Sequence, residues 1–322
     1  MYARACGNLS QPPTVKLPMT KTFALIALVL ATLLAACSTG LGASPSPTTP
    51  PGPTPTPSPT PAPTFGPNDI EHPTGRTDIV LRMEQGGGFV PFGFLFTQSP
   101  SFTLYGDGTV IFHQIDTRAG DPFGGQAMLP WLVGHMSEAD IQALLQFALT
   151  TGRLANAREN YDNPMIADAG STIFNLNAGG VEKVVSIYAL GLDDGPDQAD
   201  RAGFSQLAEV LNDFQNQSGL DLGELTVYEP ELYKVLLMEG FGEPVGQVID
   251  WPWDDLTVAD WPDAEEPDGR IAFLTPEQVA KLTDVPNGGH IGVWVTTPDG
   301  VNVQFGVRPL LPDEVEAHNS AS

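Results

Sequence analysis

Apolar and polar residues alternate in short runs along the chain after residue 77, and this period of two predicts half-buried β-strands. Several of these runs are joined by triplets that contain glycine, which tolerates the positive φ angles of tight turns, so the pattern predicts β-hairpins. The predicted strands are Thr77–Glu84, Phe102–Tyr105 with Thr109–His113, Ser171–Asn177 with Glu182–Ala189, Tyr233–Met238, and Ile291–Thr296 with Val301–Val307.

Three segments change to helical spacing. Ser137 is a favourable N-cap with acidic residues in the next turn, and apolar residues then recur at intervals of three and four until Gly152. A second amphipathic segment covers Phe204–Phe214. The third, short segment begins at Thr275, where a following proline and Gln278 predict a capping box. The pattern therefore predicts a helix after each of the first two hairpins and one before the third.

Together these elements predict an α+β fold in which antiparallel sheets are built from hairpins and a few amphipathic helices pack on one face. A helix followed by a hairpin occurs at residues 137–189 and again at residues 275–307, which suggests two related lobes. We place the first lobe at residues 69–218 and the second lobe at residues 219–322.

A different pattern precedes this region. Lys21 introduces an apolar run of 14 residues, Phe23–Ala36, which is too short to cross a bilayer but has the length of a signal-peptide core. Its last residues and the next one, Leu34-Ala35-Ala36-Cys37, resemble the lipobox of bacterial lipoproteins. That resemblance implies cleavage of residues 1–36 and attachment of a diacylglyceryl group to Cys37, often with a further acyl chain such as palmitate. Two or more acyl chains hold a protein firmly on a membrane.

The residues before the apolar run contain a second methionine, Met19, and it suits the start of a signal peptide better than Met1 does. Pro12, Pro13 and Pro18 all precede it, whereas Lys21 follows it directly before the apolar run. A basic start followed by an apolar core is the order that a signal peptide requires. We therefore expect translation to start at Met19.

Residues 37–68 are predicted to be a linker on the membrane side of the folded part. Between Ser38 and Pro67 the chain is almost wholly Pro, Thr, Ser, Gly and Ala, with eleven prolines. Such a segment cannot bury enough apolar surface to fold. At about 3.1 Å per residue in an extended polyproline conformation, it reaches roughly 90 Å at most. It would hold the folded part away from the bilayer.

Charge narrows the range of partners. After Cys37 the chain carries 39 acidic and 11 basic residues, a net charge of −28. Such a surface repels phosphate backbones, so we expect no nucleic-acid partner. The acidity serves solubility, or it serves the binding of cations or of a basic protein partner. The other cysteine, Cys6, lies before the lipobox, so we expect neither disulfides nor Cys-ligated metal sites in the folded part.

The motifs of common catalytic sites are missing from the sequence after Cys37. It contains neither Gly-x-Ser-x-Gly nor Ser-x-x-Lys. Gly86-Gly87-Gly88 lacks the Lys-Ser/Thr that follows a phosphate-binding loop, and we interpret it as a loop that ends the first strand. No two histidines have His-x-His or His-x-x-x-His spacing, so we expect no transition-metal site and no cofactor. The histidines are His72, His113, His135, His290 and His318.

An acidic stretch before the second helix is a candidate calcium loop. Calcium takes six to eight oxygen ligands, and this stretch offers several carboxylates beside a glycine. Its spacing does not match an EF-hand, and acidic residues at the start of a helix explain part of it equally well. The candidate ligands are Asp193, Asp194, Asp197 and Asp200.

A second acidic stretch, residues 251–268, combines three of the five tryptophans with seven carboxylates. Aromatic rings beside carboxylates are typical of sugar-binding platforms and of glycosidase sites. The alternative interpretation is a proline-punctuated loop whose tryptophans fill the gap between the lobes. The candidate ligand-binding residues are Trp251, Trp253, Asp254, Asp255 and Trp261.

The predicted first lobe contains three stretches, Gly87–Pro91, Phe102–Gly108 and Ser186–Gly191, on which it resembles domains of uncharacterised exported lipoproteins. The resemblance covers roughly residues 77–215. It implies an α+β fold, and it implies no activity.

The sequence therefore favours a lipoprotein on the outer face of the cell membrane, or of an outer membrane, with a non-catalytic binding or structural role in the cell envelope. A cell-wall glycan and a basic protein are the candidate partners. Two alternatives remain open. One is a carboxylate-dependent glycan hydrolase, and the other is an interaction domain stabilised by calcium.

Overall fold

The computed structural model describes residues 65–90, 94–113, 130–192, 195–239, 244, 248–263, 269–282 and 290–321. The predicted signal peptide, Cys37 and most of the predicted linker lie outside these residues. The described residues belong to one compact unit, Pro59–Ser322. They form two mostly antiparallel sheets with helices, which confirms the predicted α+β fold. None of the described helices has the length and hydropathy of a transmembrane span.

Eight strands form the first sheet: β1 (Ile79–Gly87), β2 (Phe102–Tyr105), β3 (Thr109–His113), β4 (Trp131–His135), β5 (Asn160–Tyr161), β6 (Gly170–Ala178), β7 (Val181–Tyr188) and β8 (Thr226–Val227). Their order across the sheet is β5-β7-β6-β1-β2-β3-β4-β8. All neighbours are antiparallel except β5 and β7 at one edge. The two predicted hairpins, β2-β3 and β6-β7, are confirmed.

Five strands form the second sheet: β9 (Tyr233–Glu239), β10 (Val248–Asp250), β11 (Arg270–Leu274), β12 (His290–Thr296) and β13 (Asn302–Pro309). Their order is β10-β12-β13-β9-β11, and the edge pair β10-β12 is parallel. The third predicted hairpin, β12-β13, is confirmed.

The helices are α1 (Phe94–Thr97), α2 (Glu138–Leu149), α3 (Gln198–Asn212), α4 (Pro276–Val279) and α5 (Pro312–Ala321). Helices α2 and α3 cover one face of the first sheet, where Leu145 and Phe204 are fully buried with Phe174 of β6. Helix α5 begins on the opposite face of the same sheet, where Leu311 packs with Trp131. The helices therefore lie on both faces of the first sheet, not on one.

The predicted helix caps are present. The Ser137 side chain accepts a hydrogen bond from the Asp140 N–H at the start of α2. Thr275 and Gln278 form a reciprocal capping box at the start of α4. These local interactions satisfy backbone N–H groups that have no partner within the helix.

The two sheets place their hairpins in opposite order. In the first sheet β1 lies between β2 and β6, and β6 is the first strand of the hairpin β6-β7. In the second sheet β9 lies between β11 and β13, and β13 is the second strand of the hairpin β12-β13. The sheets therefore differ in connectivity, although a helix precedes a hairpin in both.

Three features differ from the expectation. Strand β1 does not end before the glycine triplet but continues to Gly87, which pairs with Gly170 of β6. Strand β4, which the apolar pattern did not predict, pairs with β3 and with β8. Since β8 is Thr226–Val227, the first sheet extends past residue 218, where we placed the end of the first lobe.

Candidate functional site

A cleft of about 700 Å³ opens on the face of the first sheet that α2 and α3 do not cover. Ile111 of β3 and Val133 of β4 form part of its apolar lining. Val315 of α5 adds a third apolar side chain. The segment that follows β8, residues 228–231, also lines it. Four parts of the chain that are distant in sequence therefore build one concave surface.

A buried polar cluster holds the start of α5 against the sheet. Arg82 of β1 donates to Asp313 Oδ1 at 2.6 Å, and the Tyr105 hydroxyl donates to the same oxygen at 2.5 Å. Arg82 also donates to the Thr103 hydroxyl at 3.1 Å. The side chains of Arg82 and Asp313 are 8% and 17% exposed, so this ion pair is largely shielded from solvent.

The protonation states in this cluster follow from its burial. Burial by itself lowers the pKa of Arg82, but the hydrogen bond and charge of Asp313 outweigh it, so the net shift is upward. Burial, and after it the Asp313 carboxylate, raises the pKa of Tyr105 above its ordinary value. Arg82 therefore stays charged and Tyr105 stays a hydrogen-bond donor over the physiological pH range.

A second ion pair fixes the turn that leads into α5. Arg308 of β13 donates to the two carboxylate oxygens of Glu314 through both terminal guanidinium nitrogens, at 2.9 and 2.6 Å. Glu314 Oε2 also accepts the Leu311 N–H at 2.9 Å, which caps the start of the helix. Together with Asp313, these contacts tie the same helical turn to both sheets.

Tyr228 connects the wall of the cleft to the sheet. Its N–H donates to the Trp131 carbonyl at 2.8 Å, and its hydroxyl donates to the Leu310 carbonyl at 2.8 Å. Burial raises the pKa of Tyr228, and the Glu231 carboxylate adds to the shift, so the phenol remains protonated. The Tyr228 ring stays as a neutral aromatic part of the lining.

The rim of the cleft is acidic. Glu229 and Glu231 come from the segment after β8, Glu316 comes from α5, and Asp107 comes from the β2-β3 turn. The three glutamates are exposed, and the side chain of Asp107 is 26% exposed. The one cationic side chain in the described lining is Arg76, which is 92% exposed and lies 4.0 Å from Asp107. The lining therefore has a net negative charge.

His113 and Trp131 lie beside the cleft at the far end of β3 and β4. Their rings are stacked with centroids 5.2 Å apart. His113 Nε2 and Trp131 Nε1 are both enclosed, and neither has a hydrogen-bond partner among the described residues. Burial lowers the pKa of His113 to about 4, so the imidazole is neutral at pH 7.

The tryptophans of residues 251–268 lie in the core of the second lobe. Trp253 and Trp261 are 2% and 1% exposed, and both pack against Phe305 of β13. Trp253 Nε1 donates to the Gln278 carbonyl, and Trp251 Nε1 donates to the Leu256 carbonyl. The rings of Trp253 and Trp261 fill the second sheet's own core rather than the gap between lobes, and the partly buried ring of Trp251 packs against them.

The two candidate carboxylates that follow Trp253 lie at the surface of the protein. Asp254 and Asp255 are exposed, and neither lines the cleft described above. Among the described residues, no group of three or more His, Cys, Asp and Glu side chains has the arrangement of a metal site.

In the candidate calcium loop, Asp193 and Asp194 lie outside the described residues. The other two carboxylates are in ion pairs at the start of α3. Asp197 pairs with Arg158, and Asp200 pairs with Arg153 at 3.1 Å while it accepts a hydrogen bond from Tyr161. These arginines are paired with carboxylates that a calcium ion would need as ligands.

The residues that build the cleft were not among the sequence candidates. One signal in the sequence points to part of it. Pro312 followed by Asp313 and Glu314 is a typical helix start, and it marks α5. Nothing local indicates that this helix contacts β1, which precedes it by more than 200 positions.

A comparison of the chain with known protein families, with curated proteins and with solved structures finds no match. The similarity to exported lipoproteins, taken from the residues alone, therefore stays a prediction. The functional argument rests on the residues of this chain.

Proposed function

We propose that the protein is a lipid-anchored lipoprotein of the cell envelope whose folded part binds a ligand in the acidic cleft without transforming it. The lipobox-like residues Leu34–Cys37 and the proline-rich tract after them support the membrane anchor. The cleft is the observation that supports the proposed binding role. Its volume of about 700 Å³ falls within the range typical of ligand sites.

The chemistry of the lining favours binding over catalysis. The glutamates of its rim are exposed, and the side chains of Arg82, Tyr105 and Asp313 beside it are engaged in holding α5. A general acid or base must be held at a fixed place within hydrogen-bond reach of the reacting group, and an exposed side chain has few surrounding contacts that would hold it there. The same carboxylates are well suited to attract a charged ligand.

The anchor is tested by cell fractionation of tagged protein in a bacterial host. Cys37→Ala should abolish incorporation of labelled palmitate and move the protein out of the membrane fraction. Ser44→Ala, a small change in the tract after Cys37, is the control and should change neither result, and Met19→Leu should abolish expression if translation starts there. Undiminished labelling of the Cys37→Ala protein would exclude the proposed anchor.

The binding role is tested separately with the purified full-length protein in non-ionic detergent. A panel of glycans, cell-wall fragments, organic cations and secreted proteins should yield at least one ligand that the combined Glu231→Gln/Glu316→Gln variant binds more weakly. A panel without any binding above background would contradict the proposal.

A further inference from the structure

The cleft combines an apolar lining with an acidic rim, and this combination narrows the chemistry of its ligand. We propose that it binds a linear aliphatic polyamine, a molecule that carries several ammonium groups along a chain of methylene groups. This inference rests on the proposed binding role of the cleft and specifies its ligand class.

Charge complementarity provides the first argument. Asp107, Glu229, Glu231 and Glu316 contribute carboxylates from three parts of the chain, against the single guanidinium of Arg76. Arg76 is almost fully exposed, so it can turn away from a bound cation. The whole chain has a net charge of −25, which raises the local concentration of cations around it. Several separate carboxylates suit a ligand with several separate positive charges.

The apolar lining provides the second argument. The side chain of Val133 and the ring of Tyr228 line the cleft and are partly exposed, so they offer a surface for methylene groups. Ile111 and Val315, at 2% and 6% exposed, contribute little to that surface. Each methylene that leaves water gains about 0.8 kcal/mol, whereas a hydrated metal ion gains nothing from such a surface. The described residues also lack a cluster of metal-ligating side chains. The lining therefore favours an organic cation over an inorganic one.

The position of α5 provides the third argument. The helix supplies both apolar and acidic lining, through Val315 and Glu316. Its first turn is held in place by Asp313 and Glu314, which are engaged with Arg82 and Arg308. The wall of the cleft is thus fixed before any ligand arrives, which lowers the entropic cost of binding.

The test is isothermal titration calorimetry of the full-length protein in non-ionic detergent at low salt, with spermidine as the probe. Hexaamminecobalt(III) is the matched control ligand, because it has the same charge and N–H donors but no methylene groups. Spermidine should bind about tenfold more tightly, which is the gain expected from two buried methylene groups. Equal affinity for the two ligands would overturn the proposal.

Variants locate the site. Glu231→Gln and Glu316→Gln should each weaken spermidine binding about two- to fivefold, as expected for exposed charge pairs. Asp254→Asn with Asp255→Asn removes two exposed charges away from the cleft and should leave the affinity unchanged. If both sets of variants weaken binding equally, the attraction is non-specific and the proposal fails.

Two further outcomes separate this inference from the binding role itself. Tighter binding of a trilysine peptide than of spermidine would replace the polyamine by a basic peptide and overturn the ligand class. Binding of a neutral glycan in the cleft, without any spermidine binding, would also overturn it. In both cases the proposed binding role would stand.

Discussion

The two faces of the first sheet are stabilised by different interactions. The face under α2 and α3 is an apolar core that includes Phe174, Leu145 and Phe204. The opposite face carries Arg82 of β1 and Thr103 and Tyr105 of β2. Arg82 and Tyr105 hold Asp313 of α5 there by hydrogen bonds. Apolar packing over a large area holds the helices of the first face, whereas the second face combines a smaller apolar cluster around Leu311 with hydrogen bonds to Asp313. Part of the second face stays open, and the cleft lies there.

The largest effect should come from the apolar face. Phe204 is fully buried, and its ring packs edge to face on the ring of Tyr161 with the two centroids 4.8 Å apart. Phe204→Ala leaves a cavity and should lower the free energy of unfolding by about 3–5 kcal/mol, measured by urea denaturation. Phe89→Ala is the same chemical change at a side chain that is 93% exposed, and it should cost less than about 0.5 kcal/mol. Similar losses in the two variants would contradict the assignment of this core.

On the polar face, removal of one side chain should lower the free energy of unfolding by less than Phe204→Ala does. Replacement of the whole cluster by apolar side chains should restore most of the loss. Asp313→Ala leaves the Arg82 guanidinium buried without its carboxylate and should cost about 2–3 kcal/mol, below the value for a fully buried pair because Asp313 is 17% exposed.

The triple variant Arg82→Met/Tyr105→Phe/Asp313→Leu removes the charges together and should regain most of that stability. Urea denaturation of both proteins checks the difference. A triple variant as unstable as Asp313→Ala would show that the cluster cannot be exchanged for apolar packing.

The smallest effect concerns pH and also belongs to the second face. The pKa of His113 is about 4 in the folded protein and about 6.5 when unfolded, so between these values the unfolded state binds more protons. The contribution of neutral His113 to the free energy of unfolding is therefore present above pH 6.5 and is lost as the pH falls toward 4. The loss should reach about 2 kcal/mol at pH 5.

Comparison with His113→Phe isolates this contribution, because other titrating groups are common to both proteins. The gap between their free energies of unfolding should change by about 2 kcal/mol between pH 7 and pH 5, in favour of the variant at the lower pH. Parallel pH profiles would show that His113 is not buried as described.

The elements that the sequence predicted well are those with local signals. The β2-β3 hairpin depends on its glycine turn, and α2 and α4 depend on the N-caps Ser137 and Thr275. Strand β4 was missed because Gly134 interrupts its apolar run. A Cβ at that position would lie 2.9 Å from the backbone carbonyl oxygen of Leu222, so glycine is favoured by a long-range contact that the local pattern does not show.

The candidate site was less predictable for a related reason. The carboxylates singled out in the sequence were conspicuous because they cluster, as in Asp254-Asp255 and Asp197 with Asp200. The acidic residues that line the cleft are scattered between residues 107 and 316, and they share one surface because the first sheet and α5 bring them together. The tryptophans were conspicuous because they are large, and large aromatic side chains are most often needed in a core.

The bond between Arg82 and Asp313 also constrains how the protein folds. It joins residues 231 positions apart, so the chain must close a very long loop before the second face of the first sheet is covered. Until Leu311 and α5 dock, the part of this face around Ile111 lacks its apolar cover. During synthesis this cover consists of residues made much later than the sheet, and apolar surface that stays exposed in that interval favours aggregation.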